Sequence, residues 1–149
     1  MENNKIIRVA IFYSGSHLEE KSIESGDKEI YKKLIEAEIV VKVARHKLRI
    51  GDKDYVVLHN AYRDPVYSYG PDAFPSIAND YFGKIIYGNV LICNEDKNGL
   101  SSLTKDDFRN IKNHISFLMA SNSVTGGKGY LFPVIRTNNI NDSVLCYQA

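Results

Sequence analysis

The sequence predicts an α+β domain: a mainly antiparallel sheet of five to six strands with two helices packed on one face. Runs of β-branched and aromatic residues outnumber stretches with helical spacing. The turn at residues 51–54 is too short for the crossover that parallel neighbours need. Two amphipathic stretches carry the helical period, and a sheet with helices segregated to one side is the layered solution that suits such a pattern. At 149 residues and 44% hydrophobic content, the chain is expected to form one domain over residues 1–149 with an ordinary core.

The opening run "KIIRVAIFY", residues 5–13, reads as a strand that ends at the turn "SGS". A polar passage follows. In "GDKEIYKKLIEAE", Asp27 is a candidate N-cap, and Ile30, Tyr31, Leu34 and Ile35 form one apolar stripe, which predicts a short helix. Residues 38–48, "EIVVKVARHKL", return to β-branched composition, and "GDKD" turns them into "YVVLHN" as a hairpin. The almost wholly apolar run from Lys84 to Cys93 predicts a central strand buried on both faces, with Gly88 marking a bulge or a close approach. Residues 102–121 begin with Thr104 and Asp107 in capping-box spacing and place Phe108, Ile111, Ile115 and Leu118 on one helical face. "TGGKG" breaks that helix, "YLFPVIRT" predicts a strand that Pro133 demotes to an edge, and "SVLCYQ" offers a last short apolar segment.

Charge and targeting patterns narrow the setting. Nineteen basic against 18 acidic residues leave a net charge of +1, so no sequence-wide field draws the chain to nucleic acid or anionic lipid. The N-terminal apolar run is interrupted by Lys5 and Arg8, which does not suit a secretory leader, and no stretch approaches the roughly 18 apolar residues of a membrane span. A cytoplasmic protein is expected, with Cys93 and Cys146 as free thiols.

The succession "IIRVAIFYSG", "KEIYKKLIEAEIVVKV", "DYVVLHN" and "DYFGKIIYGNVLICNEDKNGLSSLTKDDFRNI", roughly residues 5–111, resembles the domain of unknown function 3846 family, small proteins of bacteriophages and mobile elements of Gram-positive bacteria. The shared motifs are structural: an asparagine at a strand end, here Asn60, then a strand of the "iiyGnvlI" type and an "sLt" helix start. Where that family has a short acidic turn and an "NR" step, this chain carries "AYRDPVYSYGPDAFPSIA". The resemblance implies a phage or mobile-element context and no particular chemistry.

That inserted stretch is the candidate site. Residues 59–82 hold Tyr62, Tyr67, Tyr69, Phe74, Tyr81 and Phe82, interleaved with Arg63 and Asp64 and stiffened by Pro65, Pro71 and Pro75. The sequence places them in one long loop, and loops of this length in compact domains carry function or fold on their own side chains. Aromatic faces stack on bases, and an arginine fork pairs with phosphate or carboxylate. The alternative is that the tyrosines form a satellite core over the sheet. His59 and Asn60, at the preceding strand end, either line the same cleft or cap the turn.

Elsewhere, "TGGKGY" offers glycine N–H groups and Lys128 to an anion, or is simply a turn, and Arg136 is an anion contact or a salt-bridge partner. His17, His46, His59 and His114 show no metal-ligand spacing, so neither metal nor cofactor is expected. Ser14, Ser16 and His17 lack the elbow of a nucleophilic serine. The expected ligand-binding set is His59, Asn60, Tyr62, Arg63, Tyr67, Tyr69, Lys128 and Arg136, with no catalytic residue assigned. The expected function is non-catalytic sequestration of a small anionic, nucleotide-like ligand. An adaptor acting on a host protein and, third, a phosphodiesterase or other hydrolase are the alternatives, and homo-oligomerisation through an exposed strand edge is compatible with the first two.

Overall fold

The computed structural model describes residues 5–26, 28–34, 43–60, 74–79, 85–120 and 129–137. Along them run β1 (Ile6–Phe12), β2 (Leu18–Glu24), α1 (Lys28–Leu34), β3 (Val43–Ile50), β4 (Lys53–Asn60), β5 (Pro75–Asn79), β6 (Ile85–Tyr87), β7 (Val90–Asp96), β8 (Gly99–Ser101), α2 (Lys105–Asn113), β9 (Ile115–Ala120) and β10 (Tyr130–Thr137). One sheet has the order β2-β1-β7-β4-β3, with β8 attached to β7, and a second has the order β6-β5-β10-β9.

The predicted single sheet with two helices on one face is therefore corrected. The described residues are mostly strand, in two sheets, with only two short helices. The helices also lie on opposite sides of the first sheet. Strand alternation explains why this works. From β1, β4 and β7, one set of side chains (Ala10, Phe12, Tyr55, Val57, Val90 and Ile92) shares a core with Ile77, Ile86 and Ile135 of the second sheet and with Ile111 of α2. The alternate set (Ile7, Val9, Ile11, Val56, Leu58, Leu91 and Cys93) packs against Ile30, Tyr31 and Leu34 of α1. The first sheet is covered on both faces, so its inner strands read as continuous apolar runs.

Four local expectations change for identifiable reasons. The polar passage "LEEKSIE" is an edge strand, paired with β1 from Phe12↔Leu18 to Ile6↔Glu24. Only Ile23 of its seven residues is buried, and its charges suit an edge that must not pair further. The run 84–93 is two strands: Gly88 adopts φ 88° and hands the chain from β6 in the second sheet to β7 in the first. The expected central position holds for β7, which lies between β1 and β4.

The long helix expected over 102–121 stops at Asn113. His114 caps it with its N–H on Ile111 O, and "ISFLMA" continues as β9, opposite β10. Helical spacing at Ile115 and Leu118 coincides with a strand that is fixed by its pairing with the next strand, β10. Finally, β10 is an inner strand and not an edge. The bond from Arg136 N–H to His114 O sets the alternation of the β9 ladder so that Pro133 N points away from β9. On its other side, β5 pairs only with Ile135–Thr137, so the missing donor removes no ladder bond.

Candidate functional site

The β3–β4 hairpin positions His59 and Asn60. Asn60 pairs with Val43 at the open end of the hairpin, and both His59 and Asn60 are almost fully buried, at 1% and 2% exposure. The His59 ring stacks on His46 with centroids 5.2 Å apart, and its Nδ1 lies 3.2 Å from Asn60 O. A carbonyl only accepts, so Nδ1 carries the proton. Both residues end β4 inside the molecule, and no broad surface of either faces solvent.

Tyr62, Arg63, Tyr67, Tyr69 and Lys128 lie outside the described residues, as do Tyr81 and Phe82. The expected loop 59–82 is bounded more narrowly than its composition indicated. Residues 59–60 complete β4, and residues 75–79 are β5, buried throughout. Pro75 takes the first position of its strand, where a proline is tolerated, and Ser76 Oγ donates to Ile86 O at 3.0 Å. Phe74, the one described aromatic of the six, packs its ring 5.3 Å from that of Phe132 and sits against Gly15, where an added Cβ would be 3.2 Å from its ring. For Phe74, packing accounts for the residue.

Arg136 is elsewhere. Its Nε donates to Ser116 Oγ at 2.7 Å and its Nη2 to Phe117 O at 2.9 Å, so it braces β9 through neutral acceptors. Its neighbour Thr137 bonds Arg49 O, at the turn end of the β3–β4 hairpin. Asn60 is opposite Val43, six residues further along β3, or roughly 20 Å at the rise of a strand. The fold therefore separates Arg136 from His59 and Asn60.

Among the described residues, the most strongly perturbed carboxylate is one whose wider role the sequence did not reveal. Asp107 forms the expected capping box with Thr104. In addition, its Oδ1 accepts from Lys53 Nζ at 2.7 Å and Tyr55 Oη at 3.0 Å, while Oδ2 accepts from Asn94 Nδ2 at 2.9 Å and Thr104 N at 2.8 Å. Burial by itself raises the carboxyl pKa, but these donors outweigh it and hold the group well below the ordinary carboxylate range. Burial pushes Tyr55 up to about 12, and Asn110 donates to its hydroxyl. With both oxygens doubly engaged, Asp107 is a tie between α2, β4 and β7 and not a base. The only sequence signal was the capping spacing, because Lys53, Tyr55 and Asn94 lie on strands that tertiary folding brings in.

Cys93 is a free, buried thiol pushed up to about 12 by desolvation, which makes it a core residue. Ser14 is also buried, with its N–H on Asn89 Oδ1 at 3.0 Å. Ser16 Oγ lies 2.7 Å from His17 Nδ1, and His17 Nε2 lies 3.4 Å from Glu19 Oε2. This serine–histidine–carboxylate chain sits on the exposed β1–β2 turn, where water screens each link. Among the described residues, no group of three His, Cys, Asp or Glu side chains is placed to hold a metal ion, and no helix is long and apolar enough to cross a membrane.

No family model, curated protein or solved structure matches the chain.

Proposed function

We propose that this chain is a binding protein of phage or mobile-element origin that acts in the host cytoplasm and sequesters a small anionic, nucleotide-like ligand on residues 61–73. Nucleotides that signal in host immunity are the ligand class. The observation that carries the reading is the anchoring of this segment: it leaves the first sheet at buried Asn60 and is followed, after Phe74, by the buried strand β5 of the second sheet. Fixed ends reduce the ordering entropy that a recognition segment loses on binding. Its composition supplies tyrosine faces for stacking on a base and the Arg63 fork for a phosphate. The phage setting rests only on the sequence resemblance to the domain of unknown function 3846 family, since no family model matches.

Thermal-shift titrations with cyclic and linear nucleotides test this. A ligand that binds only the folded chain raises the transition further with each increase in its concentration. Arg63→Ala and Tyr67→Ala each reduce that shift, and the ligand is recovered chemically unchanged. Absence of any nucleotide-dependent shift overturns the reading, and recovery of a hydrolysed ligand replaces it with an enzymatic one.

A further inference from the structure

The β9–β10 hairpin extends its core-facing surface beyond the core. Ile115 and Ile135 are directly opposite one another, with Ile135 fully buried and Ile115 packed against the same cluster. Two and four residues outward, the same face continues as Phe117 opposite Pro133 and Met119 opposite Leu131. Phe117, Met119 and Leu131 are 65%, 68% and 62% exposed. We infer that this face joins two copies of the chain, packed face to face about a two-fold axis.

Three features favour a second copy as the occupant. The patch is continuous with the chain's own core, so an identical surface continues the same apolar layer. No charged residue occurs in Ile115–Ala120 or from Gly129 to Ile135, so self-apposition brings no like charges together, as an isologous interface requires. For side chains of roughly 150–250 Å², three exposed by about two-thirds present on the order of 400 Å². Two copies then bury on the order of 800 Å² before backbone and rim are added, which approaches the roughly 1,000 Å² at which specific interfaces begin.

Face packing is favoured over pairing along the open edge of β9. In the β9 ladder, the main chain of Phe117 points away from β10, and the Arg136 guanidinium already occupies Phe117 O. A strand adding there would have to share that carbonyl with the guanidinium or displace it.

Size-exclusion chromatography with light scattering, run over a range of protein concentrations, tests the inference. The unaltered chain is expected at twice its chain mass. Phe117→Glu is expected at the chain mass with an unchanged far-ultraviolet circular dichroism spectrum, because the substituted position is exposed. An equimolar mixture of Phe117→Glu and Phe117→Lys chains should regain the double mass, since the patch faces itself. If Phe117→Glu fails to fold, Leu131→Glu makes the same measurement from the opposite strand. An unaltered chain that stays monomeric at every concentration, or a dimer that survives these substitutions in folded protein, overturns the inference.

Discussion

A carboxylate with four hydrogen-bond donors is an asset only while it is charged. Folding holds the Asp107 pKa below its unfolded value, so its contribution to stability is fully present above about pH 4, the ordinary range of the carboxyl group, and is lost as pH falls below that. Lys53 is 45% exposed at its side chain, so water screens that ion pair, and most of the effect rests on Thr104 N–H, Tyr55 and Asn94. Asp107→Asn is expected to lower stability at neutral pH by about 1–3 kcal/mol and to flatten the acid limb of the stability curve. Urea midpoints measured from neutral pH down through the carboxylate range check both effects.

Turns and strand ends carry the element-scale specificity. Gly51 has φ 68° at the β3–β4 turn, and an added Cβ would lie 2.7 Å from Asn110 Oδ1 and 2.8 Å from His114 Cε1. Asn110 cannot retreat freely, because its amide also donates to Ile50 O and Tyr55 Oη. Gly51→Ala should destabilise the protein by about 1–3 kcal/mol, seen calorimetrically as a lower Tm. Gly99 has φ 114° with nothing within 4 Å, so Gly99→Ala isolates the backbone share and should cost less. The hairpin itself was legible in advance, since β-branched runs flank a glycine turn. The end of α2 was not, because Ile115 and Leu118 fit a helical face as well as they fit β9, and only pairing with β10 decides between the two periods.

At the scale of the whole molecule, one core joins elements from both sheets. Ile135 of β10 shares it with Val57, Ile92 and Ile111, so the two sheets should not unfold separately. Equilibrium urea unfolding followed by far-ultraviolet circular dichroism and by tyrosine fluorescence is expected to give coincident transitions. Ile135→Ala should shift both together by about 2–5 kcal/mol. Two separated transitions would show that the sheets are independent units.

The sequence by itself determined where strands are possible, that α2 begins at a Thr104–Asp107 capping box, and that β7 belongs in the interior. Each of these rests on interactions between near neighbours or on a side-chain period. It also marked the aromatic segment after Asn60 as the candidate for recognition. Tertiary structure alone decided that "LEEKSIE" is an edge strand, that Gly88 divides one apolar run between two sheets, and that Arg136 serves β9 well away from His59. The first rests on pairing with the preceding strand β1, which a charged run does not announce, and the other two on hydrogen bonds and packing with residues outside the local run, which leave no period to read.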